Sequence, residues 1–270
     1  MRLKEIDSPI VRGIPGISSR EQLKQYVVER GCYSADQNSV IFNAWFAPGP
    51  RYLFRAVDRK YGLRNKKLCD IGCAYGSNLV FCQPGSYGLE IEPYEVEFAR
   101  SLGLEIHQCD VVHDDVCGLP KADAAWCSAI VEHLEAPHTF LRKVHMILNP
   151  GGLLVVFVPT IPLIPSLKHI PSLAPYVTAH QHGDHVNAFS PATLRFTCER
   201  AGFHTLEVSP LLPGILSPFS WVLRRFIDGC VYVGTKIAGW EYPQNSTRRV
   251  AANREGFMFR GQTHPGGLAK

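Results

Sequence analysis

The stretch Leu68-Cys69-Asp70-Ile71-Gly72-Cys73-Ala74-Tyr75-Gly76-Ser77 constrains this chain more than any other, because a short apolar run ends in an acid and passes into a glycine-punctuated turn. Gly72 and Gly76 can take backbone angles closed to other residues and let a ligand lie against the main chain. A helix opening at Ser77 would aim its free N–H groups at that ligand. Further on, Tyr87-Gly88-Leu89-Glu90-Ile91-Glu92-Pro93 reads as a second strand ending in an acid, the arrangement that holds a ribose through its hydroxyls. Two linked signals are far more specific than one.

The turn argues against a nicotinamide or flavin cofactor. A dinucleotide fingerprint needs G-x-G-x-x-G so that the pyrophosphate can rest on the helix N-terminus, and Ala74 and Ser77 stand at its second and third glycine positions. Asp70 also places negative charge where a pyrophosphate would be repelled. A carboxylate there suits a ligand carrying positive charge, such as the amino acid portion of S-adenosylmethionine.

The surrounding region alternates strand and helix signals. Apolar runs at residues 67–71, 86–91, 124–130 and 153–158 are short, and the last is continuous Leu, Val and Phe, as expected of a strand buried on both faces. Between them, residues 95–102 and 139–148 carry apolar side chains at spacings of three and four. Such alternation implies right-handed crossovers and a parallel sheet covered on both faces. Ligands bind at the carboxyl ends of the strands in sheets of this kind, which is where Asp70, Glu90, Asp110 and Ser128 fall.

Residues 66–210 resemble the class I S-adenosylmethionine-dependent methyltransferases, and within them the small-molecule group with an acid-containing D-x-G-x-x-x-G turn. Asp70, Gly72, Ala74 and Gly76 fall on the first motif of that family, with Ala74 replacing its usual middle glycine. Glu90 matches the ribose-binding acid, and Cys109-Asp110 the position whose acid meets the adenine amino group. Residues 122–129, ending near Ser128, resemble the fourth strand, and Val131-Glu132-His133-Leu134 the hydrophobic-Glu-His segment after it. Residues 140–152, ending in Asn149-Pro150-Gly151-Gly152, match the shared helix, sharp stop and approach to the fifth strand. The resemblance implies a Rossmann-like α/β fold: a mostly parallel seven-stranded sheet, helices on both faces and an antiparallel last strand. It also implies S-adenosylmethionine as cofactor and S-adenosylhomocysteine as product, held by Asp70, Gly72, Ala74, Gly76, Glu90, Asp110 and Ser128.

Around that core the chain carries additions. Residues 1–64 read as an N-terminal helical cap, with one helix from Ser18-Ser19-Arg20-Glu21 to about Arg30 and a second over 49–62. Phe42, Trp45 and Phe46 between them suit packing better than ligand contact. The methyltransferase domain occupies 65–270, with apolar insertions at about 159–188 and 211–245. Five prolines in the first insertion exclude a continuous helix, so it reads as an ordered loop over the pocket mouth. The second insertion, with Arg224 and Arg225 among apolar residues, reads as helical, either packed on the sheet or lying at an interface. Glu255-Gly256-Phe257-Met258-Phe259-Arg260-Gly261 reads as the last strand, beside the sixth at 203–208.

His180, His182, Asp184 and His185 crowd together, but no second ligand cluster or spaced zinc signature accompanies them, so no metal is expected. The segment instead resembles the His-Val-x-x-Phe-Ser/Thr-Pro sequence that precedes a helix in the same methyltransferase group. Ser190 would cap that helix and Pro191 would occupy its first position.

Composition sets the remaining bounds. The 270 residues, 46% of them hydrophobic, can bury a full core, and no run of 18 apolar residues suggests a membrane span. Met1–Asp7 lacks the apolar region of a signal peptide, and nine scattered cysteines suit reduced thiols, so a cytoplasmic location is expected. A net charge of +4 is too small and dispersed to demand nucleic acid, and no Asn/Asp-Pro-Pro-aromatic motif for a flipped base is present.

Methyl transfer from a sulfonium requires alignment in a dry site rather than covalent catalysis. An oxygen or carbon nucleophile needs a base as well, and His133 and His185 are the catalytic candidates, with His182 nearby. The two apolar segments point to a small apolar or lipid-linked acceptor, and Arg224 and Arg225 to peripheral contact with anionic headgroups. Two alternatives are a non-catalytic S-adenosylmethionine-binding module and, against the evidence of Asp70, Ala74 and Ser77, a nicotinamide-dependent reductase.

Overall fold

A computed structural model describes residues 48–160, 185–210 and 229–241, together with the helical positions Gln22, Gln25 and Glu29. The chain divides into two units, 1–238 and 239–270. The second contributes only residues 239–241 to the description.

The first unit begins, in its continuous part, with α1 (Pro48–Tyr61), followed by β1 (Leu68–Ile71) and β2 (Tyr87–Glu90). Then come α2 (Pro93–Ser101), β3 (Ile106–Gln108), β4 (Ala122–Ser128), α3 (Pro137–Ile147) and β5 (Leu148–Pro159). α4 (Pro191–Arg200), β6 (Phe203–Pro210) and β7 (Gly229–Lys236) complete it. The strands form one sheet in the order β3-β2-β1-β4-β5-β7-β6. β1 to β5 pair in parallel, and β7 runs antiparallel to both β5 and β6. This is the Rossmann-like methyltransferase arrangement that the sequence implied.

Successive residues of the central strands face opposite layers, as the pleat requires. Ala124, Trp126, Leu153 and Val155 meet Leu53, Phe54 and Val57 of α1 on one face. Ala125, Cys127, Leu154 and Val156 meet Phe140, Leu141 and Val144 of α3 and Leu194 and Cys198 of α4 on the other. Burying a large apolar side chain contributes roughly 1.5–3 kcal/mol, so α1 is fixed chiefly by Leu53, Phe54 and Val57. Phe54 adds an edge-to-face contact with Trp126 at 5.1 Å between ring centres. The helix starts follow local chemistry: α2, α3 and α4 each carry a proline in the first turn. Ser190 caps α4, accepting from the Thr193 N–H, while the Thr193 hydroxyl oxygen accepts from the Ser190 N–H.

Three expectations are corrected. The turn after β1 does not open an α-helix at Ser77; turns lead to a single 3-10 turn at Leu79–Phe81. The short link to β2 contains Pro84-Gly85, and both break helices. A strand, β7, forms at Gly229–Lys236, within the stretch read as an insertion over 211–245; residues 255–261, read as the last strand, lie outside the described residues. Cys230, Val231, Tyr232 and Val233 are all fully buried. A short apolar run covered on both faces lacks the alternation that separates strand from helix. β5 also starts at Leu148, earlier than expected, with Asn149-Pro150-Gly151-Gly152 inside it.

Thr160, after β5, forms a parallel bridge with Phe189 just before α4. Residues 161–184 lie outside the described residues, as do 211–228 and the aromatics Phe42, Trp45 and Phe46.

Candidate active site

The carboxyl ends of β1, β2 and β4 and the segment after β3 deliver their residues to one cavity of about 530 Å³. Gly72, Glu90, Asp110, Ser128 and His133 line it, with Ile91, Val111, Val112 and Leu134 among its apolar walls. That volume lies within the range of small-molecule sites.

The turn after β1 is shaped by left-handed backbone at three alternate positions. Gly72, Ala74 and Gly76 have φ of 64°, 46° and 75°. The positive φ at Gly72 favours glycine, and a methyl there would lie 2.6 Å from Ile130 Cδ1, so the end of that cavity-lining side chain would have to shift. Ala74, in place of the family's glycine, holds its left-handed angle at a cost of about 1–2 kcal/mol. Glu90 restrains it, because Glu90 Oε2 accepts from the Ala74 N–H at 2.8 Å.

Glu90 is buried and works as a hub. Its Oε1 accepts from the N–H groups of Ile91 at 2.8 Å and Glu92 at 3.2 Å. A carboxylate offers about four lone-pair sites, so capacity remains for one further donor before any of the three backbone groups must yield. Asp70 sits deeper at 2% exposure and is reached by the Asn78 side-chain amide at 3.3 Å. Burial pushes its carboxyl up to about 7, the Asn78 hydrogen bond opposes this, and the charge of Glu90 reinforces it. Asp110 stands at the rim, where the His113 ring at 2.7 Å and the N–H groups of Val112 and His113 hold its carboxyl below its usual range.

Beyond β4, Ala129 takes a φ of 55° and a 3-10 turn at Val131–His133 follows. The Glu132 side chain is buried, with Oε1 3.8 Å from His133 Nε2. The rings of His133 and His185 meet edge to face at 4.7 Å between centres. The two segments are clamped: Val186 and Asn187 N–H donate to the Glu132 carbonyl at 3.0 and 2.9 Å, and the Asn187 amide donates to the Leu134 carbonyl.

The structure therefore brings Gly72, Glu90, Asp110, Ser128 and His133 to the cavity wall, with His185 edge-to-face against His133. Asp70, Ala74 and Gly76 are not among the lining residues. Sequence reasoning missed His113, Asn78 and the part taken by Glu132. The Asp110-to-His113 spacing is a local signal for the first, whereas Asn78 and Glu132 become visible only when the turns are folded.

The sheet order and the acids at adjacent strand ends place the cavity where ligands bind in open α/β sheets. A family model described as a methyltransferase domain matches residues 45–208, and the chain belongs to that family, the class I S-adenosylmethionine-dependent methyltransferases, whose cofactor is S-adenosylmethionine. A ubiquinone biosynthesis O-methyltransferase from Chromobacterium violaceum is 26% identical over 105 residues, 36% of this chain and 45% of the relative. The chain thus spans less than half the length of that curated relative. Solved structures share the fold. An S-adenosylmethionine-dependent methyltransferase from Archaeoglobus fulgidus aligns with a TM-score of 0.53 at 16% identity, covering 73% of this chain and 98% of the other. The Burkholderia thailandensis 1,6-didemethyltoxoflavin-N1-methyltransferase, with its acceptor and S-adenosylhomocysteine bound, aligns with a TM-score of 0.50 at 15% identity over 82% and 92% of the two chains.

Proposed function

We propose that the chain transfers a methyl group from S-adenosylmethionine to a small, apolar or lipid-linked acceptor by in-line displacement. The observation that carries this reading is the convergence of Gly72, Glu90, Asp110 and Ser128 on one cavity that Ile91, Val111, Val112, Leu134 and His133 also line. The residues fit the cofactor: Gly72 leaves the space a Cβ would fill, and Glu90 retains capacity for a ribose hydroxyl. Asp110 faces the adenine amino group in this reading, and the apolar walls at Ile91, Val111 and Val112 suit a flat heterocycle.

S-adenosylmethionine supplies a methyl carried on a positively charged sulfur. The chain's own tasks are then to hold the acceptor in line, keep water out, and accept the proton that its nucleophile loses. His133 lines the cavity and His185 backs it, so either imidazole can take that proton. The O-methyltransferase name of the Chromobacterium violaceum relative supports an oxygen nucleophile. The apolar residues of 161–184 and 211–228, which follow β5 and β6 in sequence, support an acceptor with little charge. No helix among the described residues is long and apolar enough to cross a membrane; contact with a lipid surface rests on Arg224 and Arg225.

Incubation of the purified chain with cell extract and methyl-labelled S-adenosylmethionine, followed by identification of the labelled product, tests the proposal. An apolar or lipid-linked hydroxyl compound is expected. Preference for a highly charged, water-soluble acceptor would overturn the acceptor class, and absence of label transfer to any acceptor would overturn the activity.

A further inference from the structure

We propose that Glu132, His133 and His185 form a binding site for a divalent transition-metal ion at the acceptor end of the cavity. Each offers one ligand atom, and these atoms all lie within 4.8 Å of one another. The two segments that carry them are far apart in sequence, so neither shows a metal-ligand spacing by itself. The reading against a metal weighed His180, His182, Asp184 and His185 alone; the fold adds Glu132 and His133 to His185.

The geometry is close to what an ion needs. Zinc takes nitrogen and oxygen ligands at about 2.0–2.2 Å, which places tetrahedral ligand atoms about 3.4 Å apart. The Glu132 Oε1 to His133 Nε2 distance of 3.8 Å already approaches this value. The widest pair, within 4.8 Å, has to close by about 1.4 Å to reach that spacing. The backbone is fixed by the hydrogen bonds from Val186 and Asn187 to the Glu132 carbonyl and from the Asn187 amide to Leu134. Such anchoring is what a preorganised ligand set requires.

The donor types indicate which ion. Two imidazoles and one carboxylate suit zinc, iron, cobalt or manganese, whereas magnesium and calcium prefer oxygen ligands. Glu132 is 1% exposed, and a dication beside it offsets the cost of burying its charge. Three protein ligands leave a further coordination position, the arrangement of catalytic rather than structural zinc. His133 lines the cavity, so that position opens toward the acceptor.

This inference rests on the cavity being the acceptor site and changes how the proton is removed. With both imidazoles serving as ligands, the ion acidifies a coordinated acceptor hydroxyl. The hydroxyl proton leaves to water, the oxygen lone pair forms the O–CH₃ bond, and the S–CH₃ bond breaks to give the neutral thioether. Electrons and atoms balance without any further reactant.

The test is titration calorimetry of chelator-stripped protein with Zn²⁺, Mn²⁺ and Mg²⁺, with no cofactor or acceptor present. One equivalent of Zn²⁺ or Mn²⁺ should bind at least tenfold more tightly than Mg²⁺. Glu132→Gln, His133→Ala and His185→Ala should each weaken binding at least tenfold, whereas the double variant His180→Ala, His182→Ala should retain it. Cobalt(II) added to the wild type should give visible absorption bands that the His185→Ala variant lacks. Binding unchanged in His185→Ala, or abolished by the double variant, would overturn the site, as would no uptake of any of the ions. His185 is only half-buried, so its variant remains informative should Glu132→Gln fail to fold. S-adenosylhomocysteine titrated into the same samples keeps the two readings apart: intact binding there with no metal uptake removes the metal and leaves the methyltransferase reading standing.

Discussion

Asp70 offers a test in which the buried charge itself is perturbed. Its folded-state carboxyl is raised from 3.8 to about 7 by burial, with the Asn78 hydrogen bond opposing and Glu90 reinforcing the shift. Because the folded state holds this proton more tightly than the unfolded chain, stability attributable to the group falls as pH rises from the unfolded value toward the folded one. Above about pH 7 both states are ionised and the full penalty, about three pKa units or roughly 4 kcal/mol, is present. At about pH 5 only about 1–2 kcal/mol of it applies. Asp70→Asn removes the titration while its side-chain oxygen can still accept from Asn78. The stability difference, variant minus wild type, should therefore move in favour of the variant by about 2–3 kcal/mol between about pH 5 and about pH 8. At roughly 2–4 °C per kcal/mol for a domain of this size, the gap between melting temperatures should move by about 5–10 °C. Differential scanning calorimetry of both proteins at the two pH values measures it, and the subtraction cancels other titrating groups such as Glu95. A gap that is the same at both values, or that moves against the variant as pH rises, would refute the reasoning.

Other outcomes follow from the packing and caps. Gly88→Ala places a methyl 2.7 Å from Ile106 Cδ1 and against the Cys73 thiol, so it should destabilise the domain by about 1–3 kcal/mol in urea unfolding. Ala74→Gly relieves the left-handed strain but loosens the unfolded chain, so stability should change by less than about 1 kcal/mol, while Ala74→Val should cost more than that. Ser190→Ala removes the α4 cap and should cost about 1 kcal/mol in the same assay. If an imidazole at His133 or His185 is the base, the double variant His133→Ala, His185→Ala should lose most of the methyl-transfer rate. Wild-type turnover in that variant would leave alignment as the only catalytic device.

The residues proposed to hold the cofactor were legible because each sits at a strand end that shows in the sequence. Asp70 precedes the last residue of β1, Glu90 ends β2, and Ser128 ends β4, as a parallel sheet with its site at the carboxyl edge requires. The start of α4 was legible for the same local reason, since Ser190 and Pro191 act within one turn. β7 was not, because Cys230-Val231-Tyr232-Val233 is buried on both faces and offers no periodicity. The meeting of Glu132 and His133 with His185 was hidden for a different reason. It depends on backbone hydrogen bonds between two loops that the chain brings together only once the sheet has formed.

The central claim is that the acids at adjacent strand ends hold S-adenosylmethionine, and Glu90 is its most exposed point. Calorimetric titration of S-adenosylhomocysteine into wild type and Glu90→Ala, with folding checked by circular dichroism, tests it directly. Loss of hydrogen bonds to a charged acceptor removes roughly 1.5–3 kcal/mol, so affinity should fall about tenfold to about a hundredfold. Equal affinity in the two folded proteins would contradict the account.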